Sequence, residues 1–167
     1  MQEVTVRIKF NRVCPGSTRK RTEDGNVEFC MLRSPDNRVM FLATWWRAIM
    51  SYAAQVINKH QKDVRSICWD PIVDGEPQKW RRYSQESGDG RRRRFAVHEA
   101  FLPGSVIGVH CVLPATIGLD DFWSLLDVAG AYKGISPYKP SDDYGTFEVV
   151  SVTHRKRVVD GEDLSSC

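Results

Sequence analysis

The chain has 167 residues, with 24 Lys and Arg against 21 Asp and Glu, for a formal net charge of +3. With 41% hydrophobic and 27% charged residues it has a globular composition, which excludes wholesale disorder, and its length suits one domain whose core needs no disulfide or metal staple. The small net charge conceals an asymmetry: residues 1–22 and 79–94 each carry +5, and everything else sums to −7.

Residues 3–10, EVTVRIKF, alternate strictly, with Val4, Val6, Ile8 and Phe10 on one side, and predict a half-buried strand. A polar stretch with Pro15-Gly16 and Arg19-Lys20-Arg21 reads as a loop. Residues 27–32 and 38–42 bracket Ser34-Pro35-Asp36-Asn37 and read as a hairpin closed by that turn. Thr44 is placed to cap a helix over residues 45–60 whose apolar face is Trp46, Ile49, Met50, Ala53 and Ile57. Trp46 is then core, and Trp45, about 100° around the helix, faces outward.

Residues 64–73 read as a strand ending near Pro71, followed by a basic arm over 78–94 with a Gly-Asp-Gly tip. Residues 95–102 and 105–113 are strand-like around Pro103-Gly104, either as a tight hairpin or as one bent strand. A second helix starts near Asp120 as N-cap and buries Phe122, Leu125, Leu126 and Ala129. A loop over 134–145 leads to a last strand at 146–153. The order β, α, β, β, α, β predicts an α+β, ferredoxin-like fold: two helices on one face of an antiparallel sheet. Residues 1–154 would form this single domain and residues 155–167 a charged C-terminal tail.

Two of these stretches, MFLATWWRAIMSYAA (40–54) and GAYKGISPYKPSDDYGTFEVV (130–150), set a short apolar strand before a helix and a Gly-bearing loop before an edge-like strand. With the βαββαβ order, they resemble the RAMP superfamily of CRISPR-associated RNA-binding proteins. The resemblance covers about a third of the chain and also fits a stand-alone member carried by a phage or mobile element. It implies RNA binding, with a glycine-rich loop before the last strand meeting phosphates and a protruding hairpin clamping the strand. Here the loop keeps Gly134 and Gly145 and carries Ser136, Pro137 and Pro140 where further glycines belong.

The residues point the same way independently. Lys79-Trp80-Arg81-Arg82-Tyr83 interleaves cations with aromatics, and Arg91, Arg92, Arg93 and Arg94 add charge on the other flank. Arginines suit phosphates while Trp80 and Tyr83 suit unpaired bases, so RNA or single-stranded nucleic acid is the expected partner. Arg19, Lys20 and Arg21 are weaker candidates for phosphate contact, and Lys133, Tyr138 and Lys139 would line the loop before the last strand. Arg47, near the positive end of the first helix, either meets an external anion or pairs with a local carboxylate. An acidic protein partner would use the same arm, as in a phage-type inhibitor or an assembly subunit within a protein complex.

Chemistry is the third reading. His98 and His110 would meet if Pro103-Gly104 closed a hairpin, as a metal-independent ribonuclease requires, although a histidine in a strand is more often structural. Asp120-Asp121 reads as a helix cap and Asp142-Asp143 lacks a third acidic neighbour. Cys14, Cys30, Cys68, Cys111 and Cys167 have neither CxxC spacing nor a histidine at a zinc-finger offset, and read as free thiols. No metal, no other cofactor and no catalytic residue is expected. No apolar run reaches the roughly 18–20 residues of a membrane span, and the first ten residues lack a signal-peptide core, so the expected location is the cytoplasm and no membrane partner is expected.

Overall fold

A computed structural model describes residues 1–83, 95–140 and 143–155. The elements in chain order are β1 (Gln2–Phe10), β2 (Cys14–Pro15), β3 (Thr18–Arg21), β4 (Val27–Cys30), α1 (Ala43–Ile57), a 3₁₀ turn (Asp63–Ser66), β5 (Cys68–Asp74), β6 (Gln78–Tyr83), β7 (Phe95–Phe101), β8 (Val106–Leu113), α2 (Leu119–Tyr132) and β9 (Phe147–His154). They form a mixed α+β structure with two sheets. The first has the order β5-β8-β1-β9, and every neighbouring pair in it is antiparallel.

The alternation of β1 sets the first sheet's buried face. Val4, Val6, Ile8 and Phe10 are fully buried, and Val4, Val6 and Ile8 pair in register with Cys111, Val109 and Ile107 of β8, which are buried too. The helices close this face. Trp46 of α1 stacks on Trp69 of β5 with centroids 4.5 Å apart and planes 7° from parallel, and Phe122 of α2 lies against Trp69. The expected apolar faces are therefore the observed ones, with Phe122, Leu125, Leu126 and Ala129 all buried. Trp45 is half-buried against Phe41 rather than turned to water. No helix among the described residues is long and apolar enough to cross a membrane.

The caps differ from expectation. Leu42 and Gly118 precede the helices without any side-chain cap, and Thr44 falls inside the first turn of α1. Asp120 and Asp121 lie in the first turn of α2, where their charge still suits the helix dipole. The strand expected over 64–73 begins later, because 63–66 form the 3₁₀ turn, and it runs through Pro71. A register shift between Trp69 and Val73 accommodates that proline, which cannot donate to a ladder. Cys14, Cys30 and Cys111 are free thiols as expected, whereas Cys68 is disulfide-bonded.

The second sheet is the larger surprise. Residues 27–32 and 38–42 do not pair along their length; they meet only next to the turn, where Arg33 and Val39 form a bridge and Met40 N–H donates to Leu32, while 39–41 run beside the bulge of β5. The partner of β4 is β3, the Arg19-Lys20-Arg21 segment expected to be a loop. On its other edge β4 runs parallel to β7, and β7 also pairs with β2 and, from Phe95 to Ala100, with the whole of β6. β7 and β8 do not pair with each other. The chain leaves the second sheet at Pro103-Gly104 and enters the first, with Gly104 at φ +90° making the corner.

Candidate nucleic-acid interface

Registered residues on neighbouring strands project to the same face of a sheet. Arg19 pairs with Phe29, Phe29 with His98, and His98 with Trp80. The second sheet thus carries one cross-strand row, Arg19–Phe29–His98–Trp80, and period-2 alternation adds Arg21 and Arg82 to the same face. Lys20 and Arg81 fall on the opposite face. There Arg81 sits 4.9 Å over the Phe95 ring, and Lys79 reaches Glu28 at 3.4 Å.

The row is covered by the loop before β9. Tyr138 lies 5.0 Å from the His98 ring and 5.7 Å from Tyr144, and Tyr144 meets Trp80 edge-on at 6.2 Å. Phe29 stacks on His98 at 4.7 Å. Four chain segments far apart in sequence therefore build one aromatic cluster. Within it, Arg82 is half-buried, its guanidinium 4.8 Å over Tyr138 and its Nε donating to His98 Nε2 at 3.2 Å. The His98 ring is fully buried, and its Nδ1 lies 2.6 Å from the Gly16 carbonyl oxygen. An Nε2 that accepts must be unprotonated, so Nδ1 carries the proton and donates to Gly16. Burial foremost, and the Arg82 charge after it, hold His98 below the usual histidine range despite the Gly16 hydrogen bond, which pulls upward.

The loop itself is fixed by backbone crossings. Gly134 and Gly145 have φ of +70° and +73°, and a Cβ on Gly145 would stand 1.9 Å from the Ile135 carbonyl oxygen. Their amides are already used: Gly134 N–H donates to Ala129 and Gly145 N–H to Val13. These two glycine amides are therefore not available to cradle a phosphate. Ser136 Oγ lies 3.2 Å from the Pro15 carbonyl oxygen and 2.8 Å from that of Tyr138, while the Cys14 thiol donates to Ile135 at 3.3 Å. Burial pushes that thiol up to about 12, so it stays protonated and remains a donor.

The structure places the other expected residues as follows. Arg19, Lys20 and Arg21 are exposed on an edge strand, and Tyr83 is half-exposed beside Phe95. The Lys139 ammonium reaches the carbonyl oxygens of Lys133 and Gly134 and so ties the loop to the end of α2, and Lys133 lies 4.8 Å over the Tyr52 ring. Arg47 is exposed on α1, in the helical layer over the first sheet, and makes no ion pair among the described residues. Arg91, Arg92, Arg93 and Arg94 lie outside the described residues. His98 and His110 sit in different sheets: His110 Nδ1 is 2.9 Å from the Thr5 hydroxyl and Nε2 is 3.3 Å from Asp74. The hairpin that would join the two histidines does not form, and the ribonuclease pair goes with it.

Phe29 and Tyr144 are not among the expected site residues, and His98 is expected only as half of a ribonuclease pair, not as part of a binding surface. Only the strand register brings them to Trp80 and Arg82, and half of that register is the non-local parallel pairing of β4 with β7.

No protein-family model matches the chain, and no curated protein matches it. Among solved structures it is similar to a chain in the cryo-EM structure of the Type III-B Cmr-beta complex bound to cognate target RNA, with a TM-score of 0.56 and 12% sequence identity. The match covers 93% of this chain and 61% of that one. At this identity the likeness is one of fold alone.

Proposed function

We propose that the chain is a nonenzymatic protein that binds RNA or single-stranded nucleic acid, built on a ferredoxin-like core and acting as a RAMP-like module within a larger assembly. The observation that carries this reading is the row Arg19–Phe29–His98–Trp80 with Arg82 and Arg21 beside it. Cations and large rings share one face there, the composition that serves a strand whose phosphates are exposed and whose bases are unstacked. Trp80, Tyr138 and Tyr144 would offer ring faces, and Arg19, Arg21 and Arg82 would meet phosphates. Arg91 to Arg94 would also meet phosphates, and Lys133 would line the loop. The strand order β5-β8-β1-β9 supports the ferredoxin-like assignment, and the RNA-bound neighbour supports the choice of ligand.

The test is fluorescence anisotropy with a labelled unstructured RNA at several salt concentrations. Binding at low salt that weakens linearly on a log–log plot is expected, and Trp80→Ala should cost about 1–3 kcal/mol of stacking. No binding at low salt, or an unchanged affinity for Trp80→Ala, would overturn the proposal. RNA that stays intact through the incubation separates a binder from a nuclease.

A second reading has one observation in its favour. Tyr83 and Phe95, 49% and 52% exposed, lie together at the described end of the β6–β7 hairpin, with Arg81 over Phe95. Such a tip suits docking on another protein, as a phage-type inhibitor or an assembly subunit would require. Replacing both rings with Ser would then abolish assembly and leave RNA affinity intact.

A further inference from the structure

Arg82 is a half-buried cation that meets no carboxylate among the described residues. Elsewhere among the described residues Arg33 pairs with Glu99 at 2.6 Å, Arg38 with Asp74 at 3.2 Å, Lys9 with Glu148 at 2.8 Å and Lys59 with Asp121 at 3.1 Å. Arg82 instead gives its Nε–H to a neutral imidazole and lays its plane on Tyr138. Its two Nη nitrogens make no hydrogen bond among the described residues. A guanidinium held flat on one side and fixed through Nε on its edge keeps its terminal fork free, which is the geometry of bidentate phosphate recognition. A half-buried charge in such a setting calls for an anion from outside.

We propose that His98 is a positioning residue: its neutral ring, protonated on Nδ1, holds the Arg82 fork toward a phosphodiester of the bound strand, and a proton on Nε2 releases the fork. The proposal deepens the function proposed above and rests on it. The ring is enclosed by Arg82 and Trp80 of β6, Phe29 of β4, Tyr138 of the loop and the Gly16 carbonyl. Among the described residues, Arg82 is the charged group that acts on it. Protonation removes the acceptor for Arg82 Nε–H and sets a second positive charge against the guanidinium. The sign is therefore unusual. A histidine that touches phosphate tightens binding as it charges, whereas His98 weakens it.

The experiment measures affinity for a labelled oligouridine, whose bases do not titrate in this range, from pH 7.5 to 5, with circular dichroism confirming the fold at each pH. Wild-type affinity should fall as His98 takes up its second proton, by up to about tenfold once the ring is charged, the loss of one hydrogen-bonded charge contact. Arg82→Lys, which has no Nε–H, should bind more weakly at pH 7.5 and lose no further affinity on acidification. Wild-type binding that tightens on acidification, or an Arg82→Lys profile that falls like the wild type, overturns the proposal. Absence of binding at every pH overturns the nucleic-acid reading instead. Nitrogen-15 NMR of the imidazole then judges the positioning alone: a proton on Nδ1, and an Arg82 Nε–H signal that moves as His98 titrates, uphold it. A proton on Nε2, or an Arg82 signal indifferent to His98, refutes it.

Discussion

The Phe29 ring lies nearly flat on the His98 imidazole, centroids 4.7 Å apart and planes 18° from parallel, because the two residues are register partners in the parallel β4–β7 pairing. This contact joins the basic edge strand β3 to the hairpin that carries Trp80 and Arg82. Phe29→Ala removes half-buried apolar surface and one wall of the His98 site. It should destabilise the protein by about 2 kcal/mol in urea unfolding and weaken RNA binding at neutral pH. An RNA affinity equal to wild type in folded Phe29→Ala protein would show that the row does not act as one surface.

Gly145 tests the loop. An added methyl there meets the Ile135 carbonyl oxygen in a backbone that already needs φ of +73°. Gly25, at φ +84°, has nothing within 4 Å of such a methyl and isolates the conformational cost. Gly25→Ala should therefore lose about 1–2 kcal/mol, and Gly145→Ala clearly more, seen as a larger fall in Tm. Gly145→Ala should also displace Tyr144 and so reduce RNA affinity. Equal Tm values for the two variants would contradict the close crossing.

The parts of this architecture that were legible in the sequence are those that bury a periodic face. Val4, Val6, Ile8 and Phe10 announce β1, and Trp46, Ile49, Met50 and Ala53 announce the inner face of α1, because burial selects residue type at a fixed period. β3 gives no such signal: all four of its residues are exposed, and Thr18-Arg19-Lys20-Arg21 holds no apolar residue to alternate. The Ser34-Pro35-Asp36-Asn37 turn is real, with Asn37 N–H donating to Ser34. Its flanks diverge to partners that local sequence cannot name, since β4 pairs across the chain with β7. The basic hairpin over β6 and β7 was legible because its charge alternates with aromatics. Its division into two faces required the register.

His60 links the ends of the two helices, with Nε2 2.7 Å from Asp121 and Nδ1 3.2 Å from Asp63. The hydrogen bond to Asp121 foremost, then that to Asp63, raises this histidine above its ordinary value of 6.5 and outweighs the burial that opposes it. The folded state therefore binds the proton more tightly than the unfolded one. The stabilisation is complete below about pH 6.5 and is lost as pH rises through the folded value. His60→Asn keeps a residue that tolerates the φ of +58° seen here. It should lower Tm at pH 6 and leave a much smaller difference from wild type at pH 9. A Tm difference that stays constant with pH would assign His60 a purely steric role.

The sharpest test of the interface uses its two faces. Arg19 and Arg21 project with Phe29, His98 and Trp80, while Lys20 and Arg81 project to the other side. All four are exposed and cationic, so a binding surface defined by charge alone would treat them alike. A surface defined by the row would not. Arg19→Ala and Arg21→Ala should each weaken binding to single-stranded RNA and lower the slope of log K against log salt by about 0.7, one phosphate contact each. Lys20→Ala and Arg81→Ala should leave the slope within error. Because these side chains are exposed, the substitutions should change stability by no more than about 0.5 kcal/mol, and the comparison then reads contact rather than folding. Slopes that fall equally for all four would mean diffuse electrostatic attraction. A fall confined to Lys20 and Arg81 would move the strand to the opposite face, beside Phe95 and Tyr83.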